Sequence, residues 1–457
     1  MKSRKNYYWL GLLLIGFFVV LYFVFRPAAP DRKNIVLITL DGLRADHLSC
    51  YGYERKTSPT IDALAEHGLI FKQISTTGCA TKTALTSLFT SLDYRAHKII
   101  WNESILDDRF LTLAEVLRDQ GYVTFGIVAS PWIQRDFNYQ QGFEDFVDFR
   151  ENVLIRKPVS AGMVAEKVLD WLSRRRQRPF FLYCHLEEPH PPWLEKSPWL
   201  TAEESSTKFF DAGCTHIPNQ SEREHVSDQK KRNLIAKYDG AILYADEQIG
   251  RIVARLRKMG LENKTIIAIS TDHGYELLDH GTATHAHCPY QEVVRIPLVV
   301  HVGGPTKISR SFIRRGRIFD IGPTLLHLAG VAPPMSWEGT SLLKKNRIPP
   351  KYEFTFGFDV QSVRSVHYKL IYQKIQEKKK QYWKSPGFEF YDLSADPGET
   401  RDLSALNLPE FVIMKKDLLQ YRQDLLQKEF IPGIMFPKKL RLDKNTTKKL
   451  KTLGYLQ

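Results

Sequence analysis

Cysteine is scarce in this sequence. The five present, Cys50, Cys79, Cys184, Cys214 and Cys288, are odd in number and include no CxxC pair. That spacing excludes a zinc ribbon and a dense disulfide framework. A single bridge in an exported domain stays open, with no pairing indicated. Internal repeats and long low-complexity tracts are also lacking. Acidic residues are outnumbered, 51 against 65 Lys and Arg, which gives a formal net charge of +14. Such a balance bears on partners and decides nothing about fold. The basic residues are scattered, with local density at 374–384 and 438–451, and read as solvated surface; no nucleic-acid partner is expected. With 43% hydrophobic and 25% charged residues the chain is ordinary globular sequence, long enough for two lobes.

Charge is absent altogether from YYWLGLLLIGFFVVLYFVF (7–25). A run of this length and composition spans a bilayer as one helix, and the weak small-residue site in FRPAAPDRKN favours a retained anchor over a cleaved signal peptide. Lys2, Arg4 and Lys5 precede the run, and Arg26, Arg32 and Lys33 follow it, so the flanking charges barely discriminate between orientations.

Beyond a linker (26–33), continuous apolar β-rich runs recur at 34–40, 122–130, 179–187, 265–271 and 297–302, as expected for strands buried on both faces. Helical patterns lie between them at 110–121, 161–176 and 231–259. In the last, Leu234, Tyr238, Ala241, Ala245, Ile249, Ile252, Val253 and Leu256 form one apolar stripe, closed by Gly260. Strands alternating with helices predict an α/β fold, a mostly parallel sheet flanked by helices. From about 346 shorter β-like runs (363–373, 388–393) and a helical segment near 409–428 predict a small α+β domain. The expected organisation is a tail 1–6, an anchor 7–25, a linker 26–33, a catalytic domain 34–345, a small domain 346–430 and a basic tail 431–457.

In open α/β sheets ligands gather at the carboxyl ends of strands. NIVLITL ends at Asp41, and TIIAIST ends at Asp272-His273-Gly274. An Asp after a strand is often only a cap or turn former, but two such ends together offer oxygen and nitrogen donors to one divalent metal. In HLEEPHPPW (185–193) prolines on both sides of His190 restrict the loop that carries it. His280, His285 and His287 follow shortly after Asp272, a local density that suits a polyanion such as phosphate or sulfate.

The chain resembles the sulfatases of the alkaline-phosphatase-like superfamily. The resemblance rests on an ordered set: IVLITLDGLRADHLSCYGYERKTSPTIDALAEHG, TALTSLFTS, FFLYCHLEEPHPPW, YDGAILYADEQIGRIV, IIAISTDHGYELLDHG, HAHCPYQEVVRIPLVV, FDIGPTLLHLAGVAPP, FEFYDLSADPGETRDLS and KKLKTLGYLQ. It implies that Asp41, Asp272 and His273 bind a metal together with a nucleophile at the start of the helix after the second strand. It also implies that His190, with His285 or His287, contacts the anionic group or its leaving oxygen, and it sets the large domain outside the cytoplasm. Many sulfatases carry a second Asp directly after the first, where this chain has Gly42. With Thr, two Asp and one His as donors, zinc or manganese is favoured and calcium stays open.

The Cys/Ser-x-Pro-Ser-Arg motif in which the nucleophile is oxidised to formylglycine is missing. Anchored on SLFTS (87–91), the stretch GCATKTALTSLFTS (78–91) sets Thr81 at the nucleophile position, with Lys82 as a candidate cation for the anion and Cys79 as structural. Metal coordination and a helix amino terminus both favour a threonine alkoxide. A threonine lacks the second hydroxyl by which hydrated formylglycine sheds sulfate. The sequence therefore predicts a hydrolase or transferase acting on anionic esters, phosphate mono- or diesters before sulfate esters. The alternatives are a sulfuric ester hydrolase and a sulfatase-like binding protein without activity.

Overall fold

The structure is a computed structural model that describes residues 32–149, 158–174, 178–193, 197–201, 227–304, 311–357, 359–373, 387–427 and 437–439. The expected tail 1–6 and anchor 7–25, most of the linker 26–33 and most of the basic tail 431–457 lie outside these residues. Among the described residues no helix is long and apolar enough to cross a membrane.

Among the described residues eight strands form the main sheet: β1 (Asn34–Leu40), β2 (Leu69–Ser75), β3 (Val123–Val128), β4 (Asp145–Asp148), β5 (Phe180–Leu186), β6 (Thr265–Thr271), β7 (Arg295–Val302) and β8 (Ser311–Arg317). Their order is β4-β3-β5-β1-β6-β7-β2-β8. β1 lies at the centre, parallel to β5 on one side and to β6 on the other. The apolar runs 34–40 and 265–271 become strands with the bounds expected, each buried throughout.

Period-two alternation sends the strand residues into two cores. Ile35 and Leu37, Phe181 and Tyr183, and Ile266 and Ala268 face one core, closed by α2 (Thr81–Thr90), α3 (Leu113–Asp119) and α6 (Ile321–Leu328). The opposite face packs against α1 (Pro59–Glu66), α4 (Ala161–Arg174) and the long α5 (Asp228–Lys258), whose stripe of Leu234, Tyr238, Ile249, Ile252, Val253 and Leu256 is buried as core.

The sheet departs from an all-parallel one. β7 runs antiparallel to both β6 and β2. The chain leaves β6 at its carboxyl end, and residues 272–294 stay at that end instead of crossing back over a face of the sheet, so β7 re-enters there and runs antiparallel. β2, β4 and β8 carry polar residues and lay hidden in the sequence pattern.

Residues Asn34–Gln457 form one compact unit. Within it lies a second, antiparallel sheet of β9 (Glu353–Gly357), β10 (Val360–Arg364), β11 (Tyr368–Gln373) and β12 (Gly387–Asp392), in the order β12-β11-β10-β9. Its apolar side packs on α7 (Pro409–Gln427) through Phe411, Met414 and Leu418. β9 reaches the segment before α2: Phe356 donates its N–H to the Thr77 carbonyl (2.9 Å) and accepts from Cys79 N–H (2.8 Å).

Candidate active site

Three adjacent strands deliver the central groups. On β1, Ile35 and Leu37 are followed in the same alternation by Thr39 and Asp41; on β6, Ile266 and Ala268 are followed by Ser270 and Asp272; on β5, Phe181 and Tyr183 are followed by His185. Thr39 is level with both His185 and Ser270. Asp41, Asp272 and His185 therefore emerge on the face covered by α2, at the carboxyl end of the sheet. Each is at most 1% exposed.

α2 begins at Thr81, and its N-cap, Ala80, provides no side-chain cap. The first N–H groups of the helix have no partner within it and carry the positive end of its dipole. The approach to the helix is clamped from both sides: β9 holds Cys79 as described, while Ala286 N–H and His285 Nδ1 both donate to the Cys79 carbonyl, at 2.8 and 3.0 Å. Gly78 permits this, since a Cβ there would stand 2.7 Å from Thr83 Cβ and 3.0 Å from the Ala84 nitrogen.

Thr81 donates its hydroxyl to Asp41 Oδ2 at 3.3 Å and lies 3.4 Å from His273 Nε2. His273 donates Nδ1–H to the Gly274 carbonyl at 2.8 Å, so its Nε2 presents a lone pair. That lone pair stands 3.4 Å from Asp272 Oδ2 and 3.6 Å from Asp41 Oδ1. Asp272 Oδ1 is bound by Gly42 N–H (3.2 Å) and His273 N–H (2.8 Å), which turns Oδ2 toward the cluster. Asp41 Oδ1, Asp272 Oδ2 and both nitrogens of His185 are buried without a hydrogen-bond partner. Burial, followed by the neighbouring charges of Asp272 and Glu187, pushes the Asp41 carboxyl well above the usual range. Burial also pushes His185 down to about 4 and His273 to about 3, so both rings are neutral. Converging carboxylate oxygens and neutral imidazole lone pairs, buried together without donors, form a donor set that fits a divalent cation.

Above this cluster the ring of His285 stacks on His273 at 4.3 Å, and its Nε2 faces His190 Nε2 at 3.1 Å. His190 donates Nδ1–H to the Pro191 carbonyl at 2.8 Å. Of the two histidines proposed together from sequence, His285 is the one set against His273 and His190; His287 is buried two residues further along the same loop.

Lys82 is a correction. Its ammonium donates to the carbonyls of Ser104 (2.9 Å) and Asn102 and sits 3.1 Å from the centre of the Phe137 ring. Those groups use the charge to anchor the 102–104 segment, and burial pushes its pKa well below the usual lysine range. Arg44 is also engaged, paired with Asp46 and Asp279 at 2.7 and 2.6 Å.

The sequence reading missed His185, which lies inside an apolar strand rather than after it. One signal was available. Counting in twos back from the end of FFLYCHL places His185 on the face shared with Tyr183, and a lone imidazole on a core face demands a partner.

A family model described as Sulfatase matches residues 33–331. An arylsulfatase of Clostridium perfringens is 25% identical over 87% of this chain and 94% of its own length. An N-acetylglucosamine-6-O-sulfatase of Bacteroides thetaiotaomicron is 22% identical over 87% of each. The phosphonate monoester hydrolase of Agrobacterium radiobacter superposes with a TM-score of 0.70 at 20% identity, covering 90% of this chain and all of that one. The family match, on a mostly parallel sheet with a buried metal-type cluster at the carboxyl ends of its strands, places the chain among the hydrolases of the alkaline-phosphatase-like class. The chain belongs to the sulfatase family.

Proposed function

We propose that this protein is a metal-dependent hydrolase of sulfate esters that uses Thr81 as its nucleophile. The observation that carries the reading is the Thr81 hydroxyl, held at the first turn of α2 between Asp41 Oδ2 and His273 Nε2. The preference for sulfate over the phosphoesters expected from sequence is supported by the family match and by the names of the curated relatives.

Asp41, Asp272, His273 and Thr81 would hold the metal, with zinc or manganese favoured by the nitrogen donor. When bound, the metal lowers the pKa of a coordinated hydroxyl and stabilises charge on the transferring group. The chain's own residues do the remainder. Asp41 Oδ2 takes the hydrogen bond of the Thr81 hydroxyl and orients its oxygen. The free N–H groups of α2 receive the anionic oxygens. His190 and His285 each give their Nδ1–H to a backbone carbonyl and face each other through Nε2 at 3.1 Å, so one proton held between these two nitrogens would pass to the leaving oxygen. Thr81 Oγ bonds to sulfur as the sulfur–oxygen bond to the alcohol breaks, the threonine proton leaving to Asp41 Oδ2 and the departing alcohol taking one from the His190–His285 pair; water then attacks sulfur, releasing sulfate and a proton and restoring the threonine.

A second reading, phosphate or phosphonate monoesters, is favoured by the single hydroxyl of Thr81 and by the named activity of the Agrobacterium radiobacter neighbour. The test is turnover of paired aryl sulfate, aryl phosphate, phosphonate and phosphodiester substrates by the full chain and by Thr81→Ala. Sulfate turnover lost by at least about a thousandfold in the variant is expected. Dominant phosphoester or phosphonate turnover selects the second reading. Turnover that survives in Thr81→Ala refutes the nucleophile.

The localisation belongs to the same proposal: a single-pass protein anchored by residues 7–25, with the catalytic domain outside the cytoplasm. The uncharged run itself supports it. Extraction from membranes only by detergent, with the large domain open to protease outside the cytoplasmic side, is the expected result.

A further inference from the structure

We propose that His185 is a ligand of the metal and supplies the donor that Gly42 cannot. Only the presence of a metal is taken from the hydrolase reading; the identity of the ester does not enter.

Position 42 offers the metal no side-chain donor: Gly42 has φ +74°, a conformation that strains an L side chain, although a Cβ there would make only ordinary contact with the Tyr275 ring at 3.7 Å. His185 comes from the strand beside Asp41 and is fully buried, and neither of its nitrogens has a hydrogen-bond partner. An imidazole enclosed in that way destabilises the fold unless something else uses its nitrogens. Its Nε2 stands 3.8 Å from Asp41 Oδ2, and one donor atom each from Asp41, His185 and Asp272 lie within 4.8 Å of one another. Donor atoms sharing one zinc at bond lengths near 2.0–2.1 Å stand roughly 3–4 Å apart. A small contraction brings these atoms onto one ion.

The second imidazole changes the metal that the site prefers. Calcium takes six to eight oxygens. Here two neutral imidazoles, His185 and His273, share the site with Asp41, Asp272 and Thr81, a mixed nitrogen–oxygen set suited to zinc and its neighbours among the divalent transition ions. Glu276, His280 and Glu292 form the other cluster of metal-type groups among the described residues. There His280 is already bonded to Glu292 Oε1 at 2.6 Å and to the Glu399 carbonyl at 3.2 Å, so its ring is spoken for.

The test uses the full chain in detergent, stripped with a chelator and reloaded with Zn2+ or Co2+ in the presence of excess Ca2+. One zinc per chain is expected, with affinity read by competition against a chromophoric chelator. His185→Ala is expected to weaken zinc by at least about tenfold and to alter the Co2+ absorption bands. His185→Asp is expected to bind again, with its preference moved toward manganese and calcium. Wild-type zinc affinity together with an unchanged Co2+ spectrum in His185→Ala overturns the assignment. Should the variants fail to fold, the Co2+-loaded wild type decides, through paramagnetically shifted imidazole N–H resonances in its NMR spectrum. Two histidine ligands support the proposal and one overturns it. None of these readouts needs turnover, so they stand apart from the choice between sulfate and phosphate.

Discussion

Lys82→Met separates a structural ammonium from a substrate contact. Lys82 is 1% exposed, and its charge is met by the carbonyls of Asn102 and Ser104 and the face of Phe137. Methionine fills nearly the same volume, so little cavity is created. The loss comes from the buried Ser104 carbonyl left without a donor, at about 1–3 kcal/mol, from the half-buried Asn102 carbonyl, at about 1 kcal/mol, and from a cation–π contact worth about 1–2 kcal/mol. Against it stands the relief of burying an ammonium, several kcal/mol in the same ledger. The net expectation is a destabilisation of about 2–4 kcal/mol in urea unfolding, with KM for an aryl ester within about threefold of wild type. A lysine that bound the anion would behave in the opposite way: losing it would raise KM by about tenfold or more, a cost of about 1.4 kcal/mol, while relieving the fold of a buried charge. Unchanged stability together with a tenfold rise in KM would refute the structural assignment.

His97 predicts an acid-sensitive fold. Its Nδ1 accepts from Ile99 N–H at 3.0 Å, Nε2 bonds Ser87 Oγ at 2.9 Å, and burial holds its pKa down to about 3. The folded state keeps this ring neutral while the unfolded chain takes up a proton below about pH 6.5, so stability should fall as pH drops from 6.5 toward 3. One such group contributes about 1.4 kcal/mol per pH unit in that window. Urea unfolding at pH 7, 6 and 5 should show His97→Asn with a slope shallower by about one proton; identical slopes would contradict the account. Gly78→Ala should disturb the entry to α2, because its Cβ meets Thr83 and Ala84 at 2.7–3.0 Å. A lowered melting temperature, equivalent to about 1–3 kcal/mol, and a drop in kcat of more than about tenfold are expected. A variant that is destabilised but keeps wild-type kcat would show that this contact does not position Thr81.

The parts of the fold legible in the sequence are those with uniform composition. β1 and β6 are apolar throughout and are buried on both faces, and the stripe of α5 repeats every three or four residues. The polar strands β2, β4 and β8 and the direction of β7 were not legible. Strand direction depends on where the chain re-enters the sheet, and a pattern of period two is the same read either way. The site divides similarly. Asp41, Asp272 and His273 follow apolar runs, and that is a signal in one dimension.

By itself the sequence determined the family and the chemical inventory: two strand-end aspartates, a cluster of histidines and a threonine where an oxidisable residue would stand. Only tertiary structure decided which groups meet. It turned Lys82 and Arg44 to other partners, set His285 rather than His287 on His273, and brought His185 beside Asp41 from a neighbouring strand. The physical reason is register. Parallel pairing makes Thr39 level with His185 and Ser270, so three distant segments present one face at one height. No local pattern encodes that alignment, because it arises only when the strands pair.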